Sequence, residues 1–328
     1  MKVLVIGLGS MGQRRIRLLQ QFDHTLDIYG VDIAKERREN AEKLYHITAL
    51  ERMEEIKAGE FDCAFISTSP LSHADLIHQC LEKDMHVFTE INLVADKYEE
   101  NIDLAKRRNK VLFISSTFLY REEIQYIDSM VKKANSPMVY SYHVGQYLPD
   151  WHPWEDYRNY FVGDKRTNGC RELLAIELPW IWHTFGDIKA IHSISGKNTN
   201  LMIDYQDHFL INLEHENGSR GNLTVDVISR KPVRNLEIMS ENLYLGWNGT
   251  PEGLFYYNYE KEEEVPVRLS DKVDRQSGYS NFIVENGYMH EIEAFFKQVL
   301  EGIKPFYDFE KDKNILQIID EIGKGEPL

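Results

Sequence analysis

Val3-Leu4-Val5-Ile6 runs directly into Gly7-Leu8-Gly9-Ser10-Met11-Gly12, and Gln13-Arg14-Arg15-Ile16-Arg17-Leu18-Leu19 follows with helical spacing. An apolar, β-branched run, a G-x-G-x-x-G turn and a helix together predict a strand–turn–helix unit that holds a pyrophosphate. Gly7 permits the tight turn, Gly9 lets the backbone approach the ligand, and Gly12 lets helix and strand pack closely. Ser10 and Met11 complete the loop, and the free N–H groups of the helix start face the anion. The reading is therefore a dinucleotide-binding site at the head of the chain.

Asp27-Ile28-Tyr29-Gly30-Val31-Asp32 reads as the next strand, with Asp32 at its end, 20 positions past Gly12. A carboxylate there accepts hydrogen bonds from the adenosine ribose and repels a 2′-phosphate, which favours NAD. Lys35, Arg37 and Arg38 follow closely and keep NADP as the alternative. The competing reading of Asp32 is a strand-end cap.

The 328 residues suffice for two domains with separate cores. A net charge of −15 argues against nucleic acid and anionic membrane as partners. No apolar run long enough to span a bilayer occurs, and the first residues read as a strand rather than a leader. The 3 cysteines are scattered and the 12 histidines lack ligand spacing, so no metal site is expected. Reduced, buried thiols fit a cytoplasmic protein.

Strand and helix patterns alternate to about residue 118, which predicts a doubly wound parallel sheet over residues 1–120. From 121 to 328 the pattern changes. A helix over Glu122–Ala134 leads to a long strand, Met138–Tyr147. A helix near Arg171–Phe185 follows, then strands separated by turn signals such as Glu216-Asn217-Gly218 and Trp247-Asn248-Gly249. This predicts an α+β domain with a mostly antiparallel, open sheet. The final helix is free to pack back on the first domain, and the acidic run Glu260–Glu264 reads as a solvated hairpin tip.

Further motifs resemble the Gfo/Idh/MocA family (glucose-fructose oxidoreductase, inositol dehydrogenase and relatives) over nearly the whole chain. Phe65-Ile66-Ser67-Thr68-Ser69-Pro70-Leu71-Ser72-His73 is similar to that family's strand, Thr-x-Pro turn and following histidine. Lys83-Asp84-Met85-His86-Val87-Phe88-Thr89-Glu90 is similar to the approach to its Glu-Lys-Pro signature, and Tyr288, Glu291 and Phe295 match its ending. The resemblance implies an NAD(P)-dependent oxidoreductase, a homodimer or homotetramer using the open sheet face, and a sugar, polyol or nucleotide-sugar substrate. Doubly wound sheets bind ligands at the carboxyl ends of their strands, so Ser67, Thr68, Pro70, His73, Glu90 and Asn92 are expected to line the cofactor. Asn92 would reach the nicotinamide ribose, and His73 would support the loop rather than the chemistry.

Two departures stand out. The family's lysine after Glu90 is Ile91 here, which has no proton to move. The family's Asp-x-x-His helix is replaced by Asn168-Gly169-Cys170-Arg171-Glu172-Leu173-Leu174-Ala175-Ile176-Glu177-Leu178-Pro179. Glu177 is the first candidate for the missing acid/base, with His152, Tyr120 and Glu172 behind it. A carboxylate on this otherwise apolar helix must find a partner or a raised pKa. The bland alternative is an ion pair with Arg171 or Arg158. Tyr147 to Arg158 mixes aromatic and ionisable groups suited to sugars, so Trp151, Trp154, Tyr157 and Arg158, with Arg121, are candidate substrate contacts. A subunit interface is the alternative for that segment. Two further functions stay open: an NAD-binding protein without hydride transfer, and redox-neutral glycoside cleavage on tightly held NAD.

Overall fold

The computed structural model describes residues 1–269, 274–275 and 282–327. The first part alternates β1 (Lys2–Ile6), α1 (Ser10–Phe22), β2 (Asp27–Val31), α2 (Lys35–Tyr45), β3 (Thr48–Leu50), β4 (Cys63–Ile66), α3 (Pro70–Glu82), β5 (His86–Thr89), α4 (Tyr98–Arg108) and β6 (Leu112–Ile114). There follow α5 (Glu122–Ala134), β7 (Val139–Gly145), α6 (Gly169–Phe185), β8 (Ile188–Gly196), β9 (His208–His215), β10 (Arg220–Asp226), β11 (Val233–Met239), β12 (Tyr244–Trp247), β13 (Leu254–Asn258) and β14 (Glu263–Pro266). α7 (Glu285–Glu301), α8 (Phe309–Gly323) and the short β15 (Glu326–Pro327) close the described chain.

Two compact units result. The first comprises Met1–Ser116 with Tyr288–Asn314, the second Thr117–Gly287 with Ile315–Leu328. Each unit is thus assembled from two separate stretches of chain.

The first unit holds a parallel sheet in the order β3-β2-β1-β4-β5-β6. Strand order reverses beside β1, and doubly wound sheets bind ligands at the carboxyl ends of strands at such a point. The inner strands are apolar along their whole length because both faces are covered: Val3 to Ile6 and Cys63 to Ile66 are all buried. Phe65 stacks on Phe88 at 4.7 Å and Phe88 on Phe113 at 5.2 Å, while Phe295 meets Phe65 edge-on at 5.1 Å. Burying each such ring contributes about 1.5–3 kcal/mol. This packing makes the Tyr288–Phe295 stretch part of the first core.

The second unit holds nine strands in the order β14-β13-β12-β11-β7-β10-β9-β8-β15. Pairing is antiparallel except for β7 with β10 and β8 with β15. The β9–β10 hairpin turns at Asn217-Gly218, where Gly218 has φ +88, a left-handed conformation that favours glycine. α6 packs across β9 and β10. Alternate residues on these strands behave oppositely: Phe209, Ile211 and Leu213 are buried, whereas Leu210 is 44% exposed. The acidic run divides. Glu263 and Glu264 enter β14, and Glu260–Glu262 lie in the turn before it.

Candidate active site

The glycine turn of the first unit is built as its sequence requires. Gly7 has φ +89, and a Cβ there would lie 2.6 Å from the Ser67 carbonyl oxygen. A Cβ on Gly12 would lie 1.8 Å from the Gly7 carbonyl oxygen. Gly9 differs. It precedes α1 in extended backbone, with φ −72, and a Cβ there would meet no atom nearer than Arg37 Nη1 at 3.9 Å. The surrounding protein leaves room for a side chain at Gly9, so the glycine there is suited to the close approach of something outside the chain. The Ser67 hydroxyl, beside this turn, is closed off from solvent and has no partner among the described residues. An unpartnered buried donor and an uncovered helix start suit a pyrophosphate. Gly7, Gly9, Ser10, Met11, Gly12 and Ser67 are the residues that would hold it.

Asp32 is buried at the end of β2. Its Oδ2 accepts from Leu8 N–H and its Oδ1 from Ala34 N–H, each at 2.8 Å, and Arg37 Nη1 lies 3.6 Å from Oδ2. The carboxylate therefore ties the glycine turn to the following loop, so the cap reading of Asp32 describes part of its work. Thr68 Oγ1 and Ser72 Oγ lie 2.8 Å apart, and Pro70 begins α3.

Glu90 and Asn92 serve the first unit's own structure. Arg15 Nε and Nη2 donate to Glu90 Oε1 and Oε2 at 2.6 and 2.9 Å, and Nη2 also reaches Glu291 Oε2 at 2.8 Å. Burial raises the Glu291 carboxyl, and the Arg15 charge works against that rise. His73 is fully buried, its Nδ1 2.7 Å from Asn92 Oδ1 and its Nε2 3.0 Å from the Thr68 carbonyl oxygen. Asn92 Nδ2 donates to Tyr98 Oη at 2.8 Å, and Tyr98 in turn donates to Asp312. Both ends of the Asn92 amide are thus engaged within the fold. The expectation that this amide reaches a nicotinamide ribose has no support in this arrangement. Burial holds the His73 imidazole below its ordinary pKa, in keeping with a supporting role. Ile91 is half-buried.

In the second unit, Asn168 caps α6 by accepting the Arg171 N–H at 2.8 Å. The two glutamates of α6 then meet opposite fates. Glu177 is fully buried and saturated: Arg234 Nε and Nη2 donate to its Oε1 at 2.9 and 2.7 Å, and Tyr142 Oη and Trp180 Nε1 donate to its Oε2 at 2.8 and 2.7 Å. Four donors occupy all four acceptor positions of the carboxylate, leaving none for a substrate proton. The geometry makes Glu177 a structural anchor, contrary to its first place among the catalytic candidates. Glu177→Ala would leave Arg234 buried without its counter-charge. It is expected to lower unfolding free energy by about 3–5 kcal/mol, measured by urea unfolding.

Glu172 lies one turn into α6. Its Oε2 is closed off from solvent and has no hydrogen-bond partner among the described residues. Burial pushes its carboxyl up to about 7, with the Arg234 charge pulling the other way. Neither expected ion-pair partner engages it in the contacts observed: Arg171 Nη1 donates to Asp320 at 2.6 Å, and Arg158 Nε donates to Asp156 at 2.9 Å. Two more polar atoms of this region are equally closed off and unpartnered, His152 Nδ1 and Tyr160 Oη. The His152 ring stacks on Tyr160 at 4.5 Å and on Trp154 at 5.2 Å. Its Nδ1 lies 3.8 Å from Glu155, beyond hydrogen-bond length. Burial lowers the His152 pKa and raises that of Tyr160, and the Glu172 charge raises Tyr160 further. Tyr160 was not among the sequence-derived candidates. It follows Tyr157 by three positions at the end of the same aromatic run, which is the signal that could have included it.

The remaining candidates scatter. Trp154 is 75% exposed. Trp151 donates from Nε1 to the Gln146 carbonyl oxygen at 3.0 Å, and Tyr157 Oη accepts from Met202 N–H at 3.0 Å. Arg121 is buried, paired with Glu123 at 2.6 Å, and donates to the carbonyl oxygens of Phe282 and Gly249. It stands over the rings of Phe118 and Trp247, so the contact expected between it and substrate gives way to an internal role. Tyr120 is half-buried in a short 3-10 turn, Thr117–Tyr120, that packs against α6. Among the described residues no three His, Cys, Asp or Glu side chains gather as metal ligands, and no helix is long and apolar enough to cross a membrane.

This turn, sheet and switch point define an NAD-binding Rossmann domain. Residues 1–116 match the oxidoreductase family GFO_IDH_MocA, NAD-binding Rossmann fold. The match spans residues 1–116 of the 328, the stretch that carries the glycine turn and the parallel sheet. Mouse (Mus musculus) biliverdin reductase A is 28% identical over 127 residues, 38% of this chain and 42% of that enzyme. The matched stretch thus spans less than half of that relative's length. Two solved structures share the fold across almost the entire chain. Levoglucosan dehydrogenase in complex with NADH has a TM-score of 0.81 at 14% identity, covering 98% of this chain and 95% of that one. UDP-N-acetylglucosamine 3-dehydrogenase from Acidithiobacillus ferrooxidans has a TM-score of 0.74 at 17% identity, covering 98% and 96%. At these identities the likeness is one of fold.

Proposed function

We propose that the protein is an NAD(P)-dependent oxidoreductase acting on a sugar-like small molecule, with Glu172 as its acid/base in place of the family lysine. A bound nicotinamide dinucleotide supplies the hydride acceptor or donor; the chain's residues position the substrate hydroxyl and handle its proton. The observation that carries this reading is the Glu172 carboxyl oxygen, closed off from solvent without a partner among the described residues. Leaving buried polar atoms unpaired costs about 1–3 kcal/mol each, a cost that hydroxyl groups of a ligand would remove. A carboxyl with a pKa of about 7 is matched to proton transfer near neutral pH. The two dehydrogenases that share the fold act, by their names, on levoglucosan and UDP-N-acetylglucosamine, and a sugar or nucleotide-sugar fits the aromatic segment around Trp154. Asp32 favours NAD, with NADP the alternative.

Ile91 favours a second reading, an NAD-binding protein that has lost hydride transfer. The test is NAD(P)+ reduction by purified protein across a panel of free, phosphorylated and nucleotide-linked sugars, followed by the absorbance of the reduced nicotinamide. At least one sugar should support turnover; silence across the panel favours the second reading. We further propose self-association through the open sheet face, where Val139, Ile194 and Leu210 are 55%, 43% and 44% exposed, and a cytoplasmic location, in keeping with the three buried free thiols Cys63, Cys80 and Cys170.

A further inference from the structure

Three basic residues follow β2, and their side chains part company. Arg38 Nη1 donates to the carbonyl oxygens of Asp32 and Ile33 at 2.8 and 3.0 Å, and its Nη2 reaches Glu51 at 3.4 Å, so it ties the loop together. Lys35 is exposed and pairs along the helix with Glu39 at 3.4 Å. Arg37 turns back over the glycine turn. Its Nη1 lies 3.6 Å from Asp32 Oδ2, beyond hydrogen-bond length, and 3.9 Å from the place a Cβ on Gly9 would take. The side chain is 59% exposed. It is a loosely held cation beside the carboxylate at the end of β2. α2 begins at Lys35, and no side chain caps its start.

We propose that Arg37 reads the 2′ position of the adenosine ribose, so that the protein takes NADP as well as NAD. This rests on the dinucleotide site described above and is independent of the proposed sugar chemistry. A ribose held at Asp32 brings its 2′ substituent to that carboxylate. In NAD the substituent is a hydroxyl, which donates to the carboxylate that Arg37 also attracts. In NADP it is a phosphate, which an isolated carboxylate repels. Asp32 is not isolated. The N–H groups of Leu8 and Ala34 both point at it, and Arg37 stands on its outer side. At 3.6 Å the guanidinium is near enough to offset the Asp32 charge and loose enough to turn toward a phosphate. Its fork of donors matches two phosphate oxygens at once. The uncapped start of α2 adds partial positive charge on the same side.

One side chain thus acts with opposite sign on the two cofactors. It competes with the NAD hydroxyl for Asp32, and it attracts the NADP phosphate. Arg38 cannot take this role without releasing the two loop carbonyls it holds. Lys35 keeps the charge but, as a point charge paired with Glu39, offers no fork.

The test is isothermal titration of NAD+ and NADP+ into wild type, Arg37→Ala, Arg37→Lys and Lys35→Ala. Wild type should bind the two within about tenfold of each other. Arg37→Ala should weaken NADP+ by about 10–100-fold, as expected for a lost charge-assisted pair, while NAD+ keeps its affinity or gains. Arg37→Lys should fall between the two. Lys35→Ala should leave the NAD+ to NADP+ ratio within about twofold of wild type. Adenosine 2′,5′-bisphosphate and adenosine 5′-monophosphate repeat the comparison without a nicotinamide and should show the same change of ratio. The proposal is overturned if Arg37→Ala leaves NADP+ unchanged, if it weakens both dinucleotides equally, or if Lys35→Ala has the same effect. A wild type that binds NADP+ more than about tenfold more weakly than NAD+ overturns it too. Binding of neither dinucleotide by wild type would instead refute the site itself. No sugar and no turnover enter these measurements, so their outcome is separate from that of the oxidoreductase reading.

Discussion

Glu172→Gln is expected to lower turnover by about 10²–10⁴, the range a positioned acid or base contributes, while NAD affinity stays within about twofold. Glutamine keeps the size and polarity of the side chain but accepts no proton. The loss should appear in kcat and kcat/KM together, as for an interaction made only in the transition state. The pH profile carries the sign. Oxidation needs the carboxylate, so the wild-type rate should rise with pH through about 7, the value to which burial raises Glu172, and this inflection should vanish in Glu172→Gln. Stability gives a second check that requires no substrate. A carboxyl whose pKa is raised on folding stabilises the protein while protonated, and that contribution is lost as pH rises from the ordinary carboxyl range through about 7. Melting temperatures should show wild type losing stability relative to Glu172→Gln over that window. A rate equal to wild type in the variant would remove Glu172 from the chemistry.

The second large effect is expected at Gly9. Gly9→Val places a side chain where the nearest protein atom to its Cβ is 3.9 Å away. Its backbone, at φ −72, is open to any residue. The variant should therefore fold with a melting temperature close to wild type. It should nevertheless lose NAD binding by at least about 100-fold, because the side chain fills the space a pyrophosphate needs. Isothermal titration with NAD beside thermal melting separates the two effects. Gly12→Val serves as the contrast: its Cβ would collide with the Gly7 carbonyl oxygen at 1.8 Å, so it should damage the turn itself.

Much of the first unit was legible because each signal is local. The strand–turn–helix at the head of the chain needs only neighbouring residues, and continuous apolar runs such as Cys63–Ile66 announce a strand covered on both faces. Three strands are less legible, also for local causes. β3 has three residues, Thr48–Leu50. β8 carries a register shift between Ile188 and Ala190 that disturbs its alternation. β12, only Tyr244–Trp247, contains Gly246, whose missing side chain is covered by Phe255. The catalytic candidates were less legible because buried carboxylates are sorted by distant partners. Glu177 and Glu172 look alike on one apolar helix, but Tyr142, 35 positions away, and Arg234, 57 positions away, both converge on Glu177. Helical geometry turns Glu172 about 140° from it, away from those donors. Asn92 likewise looked available until Tyr98 and His73 were found on its two ends.

The proposed function moves the acid/base chemistry away from position 91 and onto Glu172 of the second unit. The most direct test is NAD+ reduction measured for wild type and Ile91→Lys side by side across the same sugar panel. Wild type should oxidise at least one sugar, Glu172→Gln should abolish this, and Ile91→Lys should not be needed for it. A wild type silent with every sugar, alongside an Ile91→Lys variant that turns over, would contradict the account and assign the protein to NAD binding without hydride transfer.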